Sequence, residues 1–163
     1  MRVITKNSKE IVRKADNLSA FCYYINMNNQ SEAYNWYQAL IKPTWAPPSF
    51  LFGPVWTALY AVIIATFGYV FYASYILKKI PYQVTIPFIL NIIFNIAFTP
   101  LQFWLRNNVL ASIDILLILA TLIWAIVAVY PYSRVVAYAN IPYLLWVTFA
   151  TVLQLTITYL NIK

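Results

Sequence analysis

From residue 52 onward the chain is written in long apolar runs separated by short polar or proline-bearing breaks. The runs cover about 52–77, 82–104, 109–130 and 135–160, and none keeps the period-two alternation of a half-buried strand. Eighteen or more mostly apolar residues with almost no charge are enough to cross a bilayer as a helix. At 22–26 residues each, the runs reach about 33–39 Å at ~1.5 Å per residue, so they can cross with some tilt. The first ends at Lys78-Lys79-Ile80-Pro81. The second carries Pro87 in its first turns and Pro100 near its end, the third Asp114 as its only charge, and the fourth Pro142. With breaks of only about four residues, neighbouring helices must run antiparallel. The pattern predicts an all-α integral membrane bundle with four clear spans.

Residues 1–35 do not continue this pattern. Their longest charge-free piece, Asn17 to Ser31, has 15 residues, five of them Asn or Gln, which is too short and too polar to span. Ile4, Ile11, Ala15, Leu18 and Cys22 fall at helical spacing, with Lys6, Lys9, Arg13 and Lys14 mostly off that stripe. A basic amphipathic helix lying on the membrane fits this spacing, and so does a loosely ordered tail. There is no apolar core followed by a small-residue cleavage site, so no signal peptide is expected.

Between the polar segment and the first span lies an unusual stretch, Trp36 to Tyr60. Its 25 residues hold four of the nine prolines, three of the six tryptophans and one of the two glycines. Each proline removes a backbone donor, fixes φ and pushes the preceding residue towards extended geometry. From Lys42 to Ser49 the chain therefore cannot be helical, whereas Pro54 suits the first turn of a helix. The expectation is a stiff aromatic lip leading into the first span.

Composition sharpens the class. The 163 residues are 63% hydrophobic, 18% aromatic and 9% charged, against about 25% charged in soluble domains. The sequence has no His and a single Cys, Cys22. That excludes Ser-His-Asp and Cys-His catalysis, structural zinc, His-ligated haem and an intrachain disulfide. Two glycines, Gly53 and Gly68, cannot build a phosphate-cradling loop or a dinucleotide fingerprint. The net charge of +7 points to an anionic membrane surface rather than nucleic acid, which would need a soluble basic face. Alternation of the spans puts Lys42, Arg106, Lys163 and the basic N-terminal segment on one side, eight basic residues in all, against Lys78, Lys79 and Arg134 on the other. By the positive-inside rule the lip and the C-terminus are then cytoplasmic.

The spans also carry candidate chemistry. Trp56, Tyr60, Ile63, Phe67 and Phe71 share one face of the first. Asn91, Asn95, Phe98 and Gln102 recur along the second, and Pro142, Trp146, Phe149, Ala150 and Leu153 along the fourth, with Gln154 adjoining. Amides are costly against lipid, so Asn91, Asn95 and Gln154 should face the interior. Aromatic rings with a few amides suit a large, flat, mostly apolar ligand. Plain interhelical hydrogen bonding and ring packing fit the same residues. Asp114 is a functional candidate as an intramembrane acid, or else it snorkels to the interface near Arg106. Ala61, Ala65 and Gly68 form a small-residue strip that would let another helix approach closely. Leu155-Tyr159-Lys163, and Arg134-Tyr138-Leu144 in reverse, satisfy a loose sterol-contact pattern that a Tyr-rich membrane protein matches by chance.

The motif Trp36-Tyr37-x-x-Leu40-x-Lys42-Pro43-x-Trp45-x-Pro47-Pro48, followed by Phe52-Gly53-Pro54-Val55-Trp56-x-x-Leu59-Tyr60, closely resembles the signature of the TspO/MBR family, the translocator proteins or peripheral benzodiazepine receptors. Leu90-Asn91-x-x-Phe94-Asn95-x-Ala97-Phe98, Ala111-x-x-Asp114 and Pro142-Tyr143-x-x-Trp146-x-x-Phe149-Ala150 match in order, so the resemblance covers about 36–160. It implies a five-helix membrane bundle, commonly a homodimer, that binds porphyrins, sterols and synthetic isoquinoline carboxamides. It also implies a ligand site lined by Tyr37, Trp45, Pro47, Trp56, Tyr60, Asn95, Phe98, Trp146 and Ala150. The expected function is a membrane-embedded sensor or transporter for tetrapyrroles such as protoporphyrin IX or haem, bound as ligands rather than cofactors, and for sterol-like molecules. The alternatives are a light-dependent porphyrin-degrading enzyme, with Trp56 and Trp146 as photochemical candidates, and a structural or partner-binding membrane protein lacking the first helix. A bacterial cell membrane is the expected host. The chain departs from the family in two places. The family has a spanning helix before Trp-Tyr, where residues 1–35 suggest a non-spanning or degenerate one, and its Leu-Asn is Leu153-Gln154 here, which keeps an amide.

Overall fold

A computed structural model describes residues 35–162. The chain divides between Ala39 and Leu40 into two compact units, and each is described by itself. Of the first, residues 35–39 are described, and they are helical. The surface helix or tail expected over residues 1–35 lies outside the described residues.

The second unit is a helical bundle without strands among the described residues. Its helices are α1 (Phe52–Phe71), α2 (Ile86–Thr99), α3 (Asn108–Val129), α4 (Arg134–Ala139) and α5 (Ile141–Asn161). With their flanking turns they make four membrane-length apolar segments, Ser49–Ile76, Tyr82–Trp104, Asn108–Val129 and Arg134–Asn161. These are the four spans that the apolar runs predict, and the protein is an integral membrane protein. Exposed aliphatic residues such as Ile64, Ile96, Val127 and Leu145 are what a helix presents to lipid.

Proline sets where these helices start. Pro54, Pro87 and Pro142 each sit in the first turn of a helix, where a missing N–H removes no intrahelical bond. Elsewhere side chains act as caps. Asn107 Oδ1 accepts from the N–H groups of Val109 and Leu110 at 3.0 Å each and starts α3, as an Asn cap should.

The ends are less regular. The first and second spans both finish in a π-helical turn, Tyr72–Ile76 and Pro100–Trp104. In each, a basic residue at positive φ follows, Lys78 at 55° and Arg106 at 49°. The second opens on Pro100, which cannot donate to the turn before it. The first has no such proline.

The fourth span is not one straight helix. Asn140, at φ −88° and ψ 0°, separates α4 from α5. Its side chain fills the break: Nδ2 donates to the Val136 carbonyl at 2.8 Å, and Oδ1 accepts from Thr66 of α1 at 3.4 Å. The break falls just before Pro142, which has no N–H to carry a regular ladder back across it.

α3 lies at the centre, packed against both α2 and α5. Towards the Lys78 and Arg134 end the interior is apolar, with Phe67, Val70, Phe88, Leu122, Ala125, Val129 and Val147 in one cluster. Towards the lip end it becomes polar. Gln154 Nε2 donates to Gln102 Oε1 at 3.0 Å, Gln102 Nε2 donates to Asn108 Oδ1 at 3.1 Å, and Ser112 and Thr158 share a 2.6 Å hydroxyl contact. This network ties the end of the second span to α3 and α5. The amides predicted to face inwards do so: Asn91 and Gln154 are buried and Asn95 is half-buried.

Candidate functional site

Proline stiffness shapes the lip, residues 41–48. Ala46 N–H donates to the Pro43 carbonyl at 3.0 Å and closes a tight turn, and a single 3₁₀ turn, Ser49–Leu51, leads into α1. The Trp45 indole meets Phe149 of α5 edge-on, with ring centroids 6.0 Å apart. At the lip's other end, Ile41 is hydrogen-bonded to the side chain of Asn161. Between Phe149 and Asn161 α5 rises ~18 Å over twelve residues, so the lip runs lengthwise along the last turns of that helix.

Where the lip enters α1, the aromatic rings gather. Trp146 packs against Phe149, centroids 5.6 Å apart, and edge-on against Phe52 at 5.7 Å. One turn along α1 from Phe52, Trp56 lies against Tyr60 at 5.3 Å and meets Tyr143 edge-on at 6.5 Å. Phe52 and Trp56 are four residues apart, and Tyr143 and Trp146 three, so each pair lies on one helix face. Seven rings thus bridge the lip, the start of α1 and the first half of α5.

Polar groups border this cluster on one side. The Tyr143 hydroxyl donates to Asn91 Oδ1 at 3.0 Å and accepts from Asn95 Nδ2 at 2.6 Å. Asn91 in turn donates to the Ile118 carbonyl at 2.9 Å and to Thr121 Oγ1 at 3.1 Å on α3. The indole N–H of Trp146 is buried and has no acceptor among the described residues. Tyr60, by contrast, is 47% exposed.

Of the residues expected at a ligand site, the structure brings Trp45, Trp56, Tyr60, Asn95 and Trp146 into this one group. Phe98 packs against the apolar cluster that also includes Trp56 and Trp146 at its margin. Pro47 and Ala150 are half-buried, on the lip and on α5. Tyr37 belongs to the helical residues 35–39 and is described only within its own unit.

Sequence reasoning left Tyr143, Phe52 and Phe149 off the list. The signal for Tyr143 was present: it lies three residues before Trp146, on the same helical face. Asp114 is a correction. It does not reach out to the interface as a snorkelling acid would, but is 4% exposed on α3, with Oδ2 lacking a partner among the described residues. Its neighbours along α3, Ala111, Ser112 and Ile115, are buried with it. Among the described residues no group of acids and Cys is arranged to hold a metal ion.

Comparison with known proteins gives the family. The model of the TspO/MBR family matches residues 18–160, a match that starts well before the lip motif. A tryptophan-rich protein TspO of Bacillus cereus is 40% identical over 126 residues, 77% of this chain and 80% of that protein. An uncharacterized membrane protein, YtaB, of Bacillus subtilis is 35% identical over 127 residues, 78% of this chain and 81% of its own. The human translocator protein is 31% identical over 140 residues, 82% of this chain and 79% of that protein. The seven-ring cluster, the four spans and these likenesses agree: the chain belongs to the TspO/MBR family.

Proposed function

We propose that this protein is a membrane-embedded binding protein, acting as a sensor or transporter, for tetrapyrroles such as protoporphyrin IX or haem, with sterol-like molecules as a further ligand class. The carrying observation is Trp56, set between Tyr60 and Tyr143, with the Tyr143 hydroxyl bonded to the Asn95 amide. Extended ring surface with a few fixed polar groups suits a broad, flat, mostly apolar molecule. In this reading Trp56 and Trp146 stack on the ligand, and Asn95 bonds a polar substituent. The lip, with Trp45 and Pro47, closes over it, while Phe98 and Ala150 complete the lining. The unpartnered Trp146 N–H supports the assignment, because a buried donor without an acceptor costs about 1–3 kcal/mol, which a ligand carbonyl or carboxylate would recover.

Protoporphyrin IX titrated into the protein in detergent should quench tryptophan fluorescence saturably, and Trp146→Phe should weaken the binding several-fold. Unsaturable quenching of equal size in both proteins would refute the reading. A second reading, light-dependent porphyrin degradation, is favoured by the unbroken row of rings from Trp45 through Phe149 and Trp146 to Phe52. Loss of porphyrin absorbance in light but not in darkness, abolished by changing Trp56 or Trp146, would establish it.

The exposed strip of Ala61, Ala65 and Gly68 supports a homodimer. A Cβ on Gly68 would meet nothing within 4 Å, which leaves the face open to a close helix–helix approach. The five basic residues of the N-terminal segment tip an otherwise even three-against-three balance of basic residues around the spans, which supports a cytoplasmic lip and C-terminus, and a bacterial cell membrane is the proposed host.

A further inference from the structure

Asn161, the last residue of α5, uses both halves of its carboxamide on a single residue of the lip. The Ile41 N–H donates to Asn161 Oδ1 at 3.0 Å, and Asn161 Nδ2 donates back to the Ile41 carbonyl at 2.9 Å. The same nitrogen donates to the Ile157 carbonyl at 2.8 Å, which fixes the amide against its own helix. Ile41 thereby has both backbone polar groups satisfied by one side chain, as it would beside a neighbouring strand. Few side chains can do this, since it needs a donor and an acceptor on one planar group.

This clasp holds the far end of the lip, while Trp45 on Phe149 holds its middle. The lip is short and stiffened by Pro43, Pro47 and Pro48, and the turn from Pro43 to Ala46 ties the residues around Trp45 together. Movement of Ile41 is therefore passed on to Trp45, whose contact with Phe149 is then its remaining hold at that edge of the aromatic cluster. The clasp also lies where water can reach it. Ile41 is 56% exposed and Trp45 48%, so water competes for both amide bonds and the clasp can open without unfolding α5.

We infer that Asn161 is a positioning residue that latches the lip, and that the latch sets how fast a ligand enters and leaves the aromatic site. The inference rests on the proposed ligand-binding reading. Asn161 bonds Ile41 and Ile157 rather than any of the seven rings, so opening the latch speeds entry and exit together. A change that acts equally on the empty and filled site leaves the equilibrium unmoved.

The experiment compares wild type, Asn161→Ala and Asn161→Asp, each as the full chain in detergent micelles. Amide hydrogen exchange of residues 41–46 is read first, without ligand, and stopped-flow quenching by protoporphyrin IX second. Asn161→Ala should exchange at least about tenfold faster at Ile41, and should raise both association and dissociation rates by several-fold while Kd moves less than about twofold. Asn161→Asp keeps the acceptor for the Ile41 N–H and loses the donor, so it should fall between the two. Unchanged hydrogen exchange would overturn the latch. Faster exchange with unchanged rates would overturn its role in ligand passage, and so would a loss of affinity carried by dissociation alone. If wild type does not bind protoporphyrin, the binding reading itself fails and the gating role falls with it, whereas a failure confined to the rates leaves that reading intact.

Discussion

The hydroxyl of Tyr143 and the side-chain carbonyl of Asn91 lie 3.0 Å apart, and this bond joins α5 to α2 inside the apolar bundle. Asn91 carries the link on to α3 through the Ile118 carbonyl and Thr121. One amide therefore fastens three helices at one level, and the ring of Tyr143 stands edge-on to Trp56 at the same place. Packing of the bundle and the shape of the candidate site depend on the same two residues. Both are almost fully buried.

Truncating Asn91 should be worse than trimming Tyr143. Asn91→Ala strips partners from Tyr143, Asn95 and Thr121 together, and should cost about 2 kcal/mol of stability. Tyr143→Phe removes a single hydroxyl and should cost about 0.6–1 kcal/mol, because individual side-chain bonds between membrane helices average about 0.6 kcal/mol. Unfolding of the two variants in mixed micelles with increasing denaturing detergent measures both. Equal losses would mean that Asn91 acts only through Tyr143.

The Gln154 to Gln102 bond, 3.0 Å long and buried, should show as a coupling rather than as two independent losses. Residues sharing a bond give non-additive double mutants. Gln102→Ala and Gln154→Ala together should cost less than the sum of the single changes by about 0.6–1.7 kcal/mol, the range for bilayer side-chain pairs. Thr99, exposed on the same span, provides the control: Thr99→Ala should add to Gln154→Ala without coupling. A double-mutant cycle in one detergent measures the difference.

Most of the architecture could be read from the sequence, because lipid makes the absence of charge a strong signal over twenty residues. The inward turn of Asn91 and Gln154 was legible for the same reason, since an amide facing hydrocarbon is costly. Local irregularities were not. Nothing in Tyr72–Ile76 marks a π-helical turn, and Pro142 announced a helix start only once Asn140 was seen to fill the break behind it. Of the candidate site, the tryptophans were visible as composition. Tyr143 was masked by the number of tyrosines in the chain, fourteen in all. Asp114 misled because proximity to a helix end does not say which face a residue occupies. Asn161 looked like a terminal polar residue until its partner, 120 positions earlier, was in view.

Asn140 should matter more than its place between two helices suggests. Its amide takes the Val136 carbonyl at the break and accepts from Thr66. Asn140→Ala leaves that buried junction with fewer partners and should cost about 1–2 kcal/mol. Thr66→Val should cost less, because the Thr66 hydroxyl lies closer to the Val62 carbonyl, at 2.8 Å, than to Asn140, at 3.4 Å. Thermal unfolding followed by circular dichroism ranks the two, and a larger loss for Thr66→Val would show that the tie to α1, not the fill of the break, is what Asn140 supplies.

Lys78 offers a change in the opposite direction. It sits at φ 55° directly after the π-helical turn, with Leu77 N–H bonded to the Tyr72 carbonyl at 3.1 Å and Lys79 N–H to the Ala73 carbonyl at 2.9 Å. These bonds close the end of the first span only if residue 78 is left-handed, a conformation that costs an L residue with a Cβ about 1–2 kcal/mol and glycine almost nothing. Glycine also loses more freedom on folding, which offsets part of the gain. Lys78→Gly should therefore stabilise the protein by about 0.5–1 kcal/mol, and Lys79→Gly, where no positive φ is needed, should be neutral or destabilising. Both lysines are exposed, so each substitution removes the same single charge from the same loop. The contrast between them isolates the backbone effect. Paired unfolding curves in one detergent decide it: a gain for both variants would point to charge, and a loss at Lys78 would show that the left-handed turn is not under strain.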